Sequence, residues 1–328
     1  MTKWTKPVVL GYDTSKEGRY ALQWAVDVAQ RRGVPLVVVY ASDKEPTSVW
    51  MGRAAVLEMY QRRALQIAEE GAERARAMAP IQVEAIGLSG GAAAGLVERS
   101  KDASLMVLGH RTRGALRETV VGSVALQVTT HAACPVAVVR SAPAPLPSME
   151  HPVVVGVDGS ERGKSALNEA ALLAADTGSF LRIVTAWRAP DEDLWSVKSK
   201  NRPAKAKGDS KAGADAEDVL SAYQRIRTEL ASDRPDADPY DVLKDDVEQS
   251  AANAARAATE HVHASYPDLK VEQVVQKGSA ASVILAAAAG ASVIVVGSRG
   301  YSALQSLLLG SVSRKIINRA NCAVYVIR

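Results

Sequence analysis

One chain carries the same two stretches twice, in the same order. Residues 7–15 read PVVLGYDTS and residues 152–160 read PVVVGVDGS. Residues 109–127, GHRTRGALRETVVGSVALQ, return as residues 297–315, GSRGYSALQSLLLGSVSRK. Whatever the first copy folds into, the second must fold into as well, so the repeat constrains the architecture more than any single motif does. Asp13 matches Asp158 at an offset of 145 residues, and Gly109 matches Gly297 at an offset of 188. The second copy therefore holds 43 extra residues, most of them around 188–240. There the run KSKNRPAKAKGDSKAGADAED is polar and of low complexity, too poor in apolar area to offset its ordering entropy, and is expected to be mobile. Two domains of ordinary size fit the 328 residues: 1–141 and 152–328, joined by a Pro- and Ser-rich linker at 142–151.

Within each copy, short Val/Ile-rich runs alternate with longer helical patterns. Strands are expected near 7–12, 35–41, 81–88, 104–109 and 135–140, then near 152–157, 181–187, 270–276, 292–297 and 323–328. The intervening KEGRYALQWAVDVAQRR and AAVLEMYQRRALQIAEEGAERARAMA have helical spacing. Continuously apolar strands separated by helices argue for a parallel sheet covered on both faces. The fold class is α/β, two tandem five-stranded parallel-sheet domains of Rossmann-like build.

Composition removes several functions. Forty basic residues face 36 acidic ones, and the main basic cluster, Lys198 to Lys211, runs straight into Asp215, Glu217 and Asp218, so a solvated loop fits better than a nucleic-acid stripe. Aromatics make up only 5%, too few for base-stacking platforms. The longest apolar run, 281–296, is interrupted by Ser282, Gly290 and Ser292, which suits a helix followed by a buried strand better than a membrane span. With no signal peptide visible in MTKWTKPVVLGYD, the expectation is a soluble, cytoplasmic protein. Cys134 and Cys322 occupy equivalent repeat positions, which points to packing.

In open α/β sheets ligands sit beyond the carboxyl ends of the strands, where strand order reverses. Asp13 and Asp158 end the first strand of each copy, and the glycine-rich loops follow the fourth. If strands one and four are neighbours, these features face one crevice. Each loop then feeds a helix starting near Ser123 or Ser311, whose unpaired N–H groups and positive dipole end suit phosphate. Glycine permits close backbone approach and positive φ. Taken singly, each feature has a plainer reading as a turn or an N-cap; their joint recurrence at matched positions makes the stronger case. The run GSERGKS, 159–165, has only three residues between Gly159 and Gly163-Lys164, one short of a P-loop, and reads as a helix start with Lys164 on the surface. His261 and His263 stand two apart on a predicted helix and so point to different faces, which disfavours a metal site. No general base stands out beside the phosphate loop.

With these residues in view, the chain resembles a tandem universal stress protein. The family's ATP-binding pattern is Gly, two residues, Gly, nine residues, Gly, then Ser or Thr, and Gly297, Gly300, Gly310 and Ser311 match it. HAACPVAVVR and RANCAVYVIR are similar to its last strand. The resemblance implies an adenine-nucleotide alpha hydrolase-like fold with strand order 3-2-1-4-5 and ATP binding by copy two. Asp158 would contact adenosine, the backbone near Ala186 adenine, and Gly297 the ribose. Gly300, Gly310, Ser311 and Val312 would cradle the phosphates, with Mg2+ as a candidate companion. Ser313 and Lys315 are added for their closeness to the helix start. In copy one the corresponding set is Asp13, Ala41, Gly109, Gly122, Ser123 and Val124. There Thr112 replaces Gly300, Ala125 replaces Ser313 and Gln127 replaces Lys315. A β-branched Thr at positive φ costs roughly 1–2 kcal/mol, and a lost hydroxyl and cation about 1 kcal/mol each. Some 3 kcal/mol would weaken ATP binding about a hundredfold; Arg113 and Arg117, present only in copy one, could oppose that. The family's role implies an ATP-linked stress sensor or regulator, with a slow ATPase or phosphoryl- or adenylyl-transfer enzyme, or a nucleotide-free scaffold, as alternatives. Family members pair through strand five, which here implies a pseudo-dimer within one chain and leaves a further homodimer open. Antiparallel pairing would put Cys134 and Cys322 about 20 Å apart, with no disulfide between them.

Overall fold

The computed structural model describes residues 5–42, 53–110, 121–140, 146–188, 239–298 and 309–328. The first half runs β1 (Val8–Gly11), α1 (Lys16–Arg32), β2 (Leu36–Ser42), α2 (Arg53–Met78), β3 (Val83–Ser89), α3 (Ala92–Arg99), β4 (Leu105–Gly109), α4 (Ser123–His131) and β5 (Val136–Val139). The second runs β6 (Val153–Gly156), α5 (Glu161–Thr177), β7 (Leu181–Trp187), α6 (Pro239–Ser265), β8 (Val271–Lys277), α7 (Ala280–Ala287), β9 (Val293–Gly297), α8 (Ser311–Arg319) and β10 (Ala323–Ile327).

Local chemistry sets the first helix of each half in the same way. Ser15 and Ser160 cap α1 and α5 by accepting from the N–H groups of Gly18 and Gly163, each at 3.0 Å. Gly33 and Gly178, both at φ 63°, end them in the left-handed conformation that glycine adopts without strain. The apolar run at 281–296 divides into α7 and β9. The polar stretch around 188–240 falls outside the described residues except at its edges, where Arg188 is exposed and Pro239 and Tyr240 already belong to α6.

All ten strands form one sheet, ordered β3-β2-β1-β4-β5-β10-β9-β6-β7-β8. Each half is therefore 3-2-1-4-5, and β1 lies beside β4 as β6 lies beside β9. Every pairing is parallel except the central one: β5 and β10 run antiparallel with Val324 opposite Val138, Tyr325 opposite Ala137 and Val326 opposite Val136. Alternate strand residues serve opposite layers. Val8, Leu10, Val153 and Val155 pack under α1, α2, α5 and α6; Val9, Val154, Ile294 and Val324 pack under α3, α4, α7 and α8. Coverage on both faces explains why these strands are apolar throughout. Cys134 and Cys322 are both free and buried.

Candidate functional site

The strand registers bring the expected residues to one edge in each half. Gly156 pairs with Val184, which puts Ala186 level with Asp158; Val155 pairs with Val295, which puts Gly297 one step short of that level. In the first half, Gly11 pairs with Val39 and with Leu108, so Asp13, Ala41 and Gly109 take the same places.

Each Asp is held in a turn. Asp158 Oδ1 accepts from the Ser160 N–H at 3.0 Å and the Ser160 hydroxyl at 2.6 Å. Asp13 Oδ1 accepts from the Ser15 N–H at 3.1 Å and from the Ser15 hydroxyl. A Cβ on Gly163 would lie 2.7 Å from Asp158 Oδ1, and one on Gly18 would lie 2.2 Å from Asp13 Oδ1. Glycine at this point lets the carboxylate fold back over the first helical turn while staying at the crevice edge. The run GSERGKS thus owes its second glycine to Asp158, and Lys164 is a surface residue paired with Glu161 at 2.6 Å.

Gly122 and Gly310 are the N-caps of α4 and α8, and neither helix start has a side-chain cap. Their φ values are −62° and −60°, in extended backbone, so positive φ is not what these two positions require. What glycine leaves here is a helix start with no capping oxygen of its own, open to an external anion. Ser123 and Ser311 are exposed at that start, with Val124 and Val312 half-buried behind them. Gly310 is anchored by donating its N–H to the Ser298 carbonyl at 2.8 Å. Ser313 behaves differently from its neighbours: it is buried, and its hydroxyl donates to the Gly297 carbonyl at 2.7 Å, tying the helix to the strand end. Lys315 is exposed. Gly300, Thr112, Arg113 and Arg117 lie outside the described residues.

A charge contrast at the crevice was not read from the sequence. Arg162, in the first turn of α5, donates from Nη1 to the hydroxyl of Ser298 at 3.2 Å, the same residue whose carbonyl anchors Gly310. A cation in a first helical turn opposes the helix dipole, so its place beside an open helix start is a cost the site can use. The equivalents in the first half are Glu17 and His110. The backbone of Glu17 packs so closely on β4 that a Cβ on Gly109 would stand 3.0 Å from it. His110 is buried, and its Nε2 has no hydrogen-bond partner among the described residues. Burial, and next the charge of Arg140, push its pKa below the usual imidazole value, with Glu17 pulling the other way. Comparing charges across the two offsets would have found this contrast. His261 and His263 instead meet Asn168 Oδ1 at 2.7 Å and the Leu269 carbonyl at 3.1 Å, and among the described residues no cluster of metal-ligating side chains occurs. No helix among them is long and apolar enough to cross a membrane.

Two 3-2-1-4-5 half-sheets, each with an Asp turn and a glycine-opened helix facing one crevice, define a tandem α/β protein. The model of the universal stress protein family matches residues 5–140 and 149–328, and the chain belongs to that family. A universal stress protein of Mycobacterium tuberculosis is 30% identical over 338 residues, covering 98% of this chain and 96% of its own. A second from the same organism is 26% identical over 332 residues with the same coverage. The crystal structure of a universal stress protein from Archaeoglobus fulgidus superposes with a TM-score of 0.65 at 17% identity, covering 99% of both chains. A putative one from Pseudomonas aeruginosa gives 0.54 at 14% identity, with 98% and 93% covered. At those identities the two structures speak for the fold.

Proposed function

We propose that this chain is an ATP-binding stress regulator whose principal site lies in the second half, within the unit 152–328. The observation that carries the reading is the open start of α8: Gly310 leaves it without a side-chain cap, and the Arg162 guanidinium stands beside it through Ser298. Together they supply N–H groups, a dipole and a cation for phosphate. Asp158 and the Ala186 backbone, level with one another, would take the adenosine. Gly297, Ser311 and Val312 complete the crevice, and Gly300 follows from the family pattern. Mg2+, if it accompanies the nucleotide, would be carried on the phosphates.

The first-half site, with Asp13, Ala41, Gly109, Gly122, Ser123 and Val124, would bind ATP more weakly. It has Glu17 where the second half has Arg162, and the sequence differs at Thr112. The chain works as a regulator in which nucleotide occupancy changes conformation or partners. Turnover faster than about 1 s⁻¹, the low end of ordinary enzymes, would instead favour the enzyme reading.

The test starts with purified protein, denatured and examined by chromatography for released adenine nucleotide. Calorimetric titration with ATP follows, on the wild type and on Gly122→Val and Gly310→Val separately. The expected result is two sites of unequal affinity, the tighter one lost in Gly310→Val. A protein that carries no nucleotide and binds no ATP overturns the reading, and equal affinities overturn the ranking.

A further inference from the structure

The antiparallel junction of β5 with β10 relates the two halves by a pseudo-two-fold axis through the Ala137–Tyr325 pair. These two residues are themselves equivalents in the repeat, at the offset of 188. A symmetric dimer would have to place one residue type on both sides of this axis. Here a large side chain lies opposite a small one, and both are fully buried.

The helices over this junction break the symmetry in the same sense. Trp24 of α1 meets the Tyr325 ring edge-on, with centroids 5.1 Å apart. Its equivalent on α5, at the offset of 145, is Glu169. Glu169 pairs with Arg32 of α1 at 3.0 Å, and the two side chains are only 16% and 7% exposed. The equivalent of Arg32 is Thr177, and that of Arg31 is Asp176. Thus α1 brings an indole and two guanidinium groups to the seam, one of them, Arg31, paired with Asp27 of the same helix at 2.8 Å, and α5 brings two carboxylates with Leu172 in the place of Asp27.

The opposite layer is nearer to symmetric in its arginines, although Asn318 Oδ1 also accepts from the Val121 N–H at 2.9 Å and the equivalent of Asn318 is Thr130. Arg140 follows β5 and donates to the Asn318 carbonyl near the end of α8; its equivalent, Arg328, follows β10 and donates from Nη1 to the Ala132 carbonyl just past α4, at 2.7 Å. The two arginines would serve any pairing of such domains, while the α1–α5 face distinguishes the partners.

We infer that the seam is specific for half one against half two and rejects either half paired with itself. Half two against a second half two would set two Tyr325 rings at one point on the axis and bring Glu169 to Thr177, leaving a buried carboxylate without its guanidinium. Half one against a second half one would set Ala137 against Ala137, leaving a void, and bring Arg32 to Trp24 in place of Glu169, with the seam's own carboxylate, Asp27, held by Arg31 at 2.8 Å. Correct pairing gains complementary volume and charge, and wrong pairings carry clashes or unpaired charge, the two components of discrimination.

The experiment uses the full chain with a specific protease site introduced at 141–145. The protein is purified intact, cut, equilibrated with an isotope-labelled cut sample, and weighed by native mass spectrometry. The expected species contain one of each half, with labels exchanged only between like halves. Homodimers of either half, or free halves as the main species, overturn the inference. In the same cut protein Glu169→Lys sets two cations together in the seam and should weaken the pairing at least tenfold; unchanged pairing would also overturn it.

Discussion

Replacing Ser313 with alanine separates a role in binding from a role in holding the site together. The Ser313 hydroxyl is buried and donates to the Gly297 carbonyl at 2.7 Å, joining the first turn of α8 to the end of β9. Removing it deletes one neutral, part-buried hydrogen bond, worth about 1 kcal/mol net, and leaves the Gly297 carbonyl without that donor. The expected loss of stability is about 1 kcal/mol, read as a lower urea midpoint at unchanged slope. ATP affinity should stay within about twofold, because the hydroxyl is already committed to the protein. Were it a phosphate ligand, the same 1 kcal/mol would appear as about a fivefold loss of affinity instead. Calorimetry and urea unfolding on one sample distinguish the two. Unchanged stability with a fivefold or greater loss of ATP binding would refute the structural role. Ala125→Ser, at the equivalent buried position, gives the converse: no gain in ATP affinity in the first half.

Three further outcomes are expected. Arg162→Glu should weaken ATP binding about tenfold and leave adenosine binding unchanged, since the guanidinium reaches Ser298, whose carbonyl holds Gly310 at the helix start; Glu17→Arg should strengthen ATP binding in the first half, and calorimetry with both ligands checks each. Burial pushes the Cys134 thiol up to about 11 and the Cys322 thiol up to about 12, so neither should react with iodoacetamide at pH 8 until the protein unfolds, as peptide mass mapping would show. His110 is held neutral by burial and by Arg140, so below about pH 6.5 the unfolded chain takes up a proton that the folded chain resists; stability should fall on acidification by up to about 1.4 kcal/mol per pH unit, and His110→Asn should flatten that dependence in urea midpoints measured between pH 7.5 and 5.5.

Much of the fold could be read from the chain because the inner strands, β1, β4, β5, β6, β9 and β10, are apolar along their length and each α1-type helix is punctuated by Ser at one end and Gly at the other. The positions of Asp13 and Asp158, Gly109 and Gly297 at strand ends follow from the same alternation. What stayed hidden depends on how elements face one another. A serine two positions into a helix looks like a phosphate ligand in sequence; only the seating of α8 on β9 reveals that its hydroxyl turns inward to a carbonyl. In sequence Gly310 could serve close approach or positive φ; its extended backbone shows that an open helix start is what it supplies. Gly163 reads as part of a failed P-loop until the Asp158 carboxylate is found folded against it.

The differences between the halves have a common physical origin. In a symmetric dimer every substitution at the axis is made twice and meets itself, so a Tyr325 without a facing Ala137 could not be accommodated. Joining the halves in one chain removes that restriction, and several of the divergent positions lie along one helix in each half. Glu17 and Arg162 open α1 and α5 at the crevice; Trp24 and Glu169 stand midway over the seam; Arg32 and Thr177 close the helices there. Seventeen residues at 1.5 Å each span about 25 Å, so one rigid element carries both the charge that faces the crevice and the charge that selects the partner half. Divergence at the crevice therefore goes with discrimination at the seam: a half carrying Glu17 and a half carrying Arg162 share one sheet, rather than each pairing with its like in a second chain, only if neither prefers its own kind.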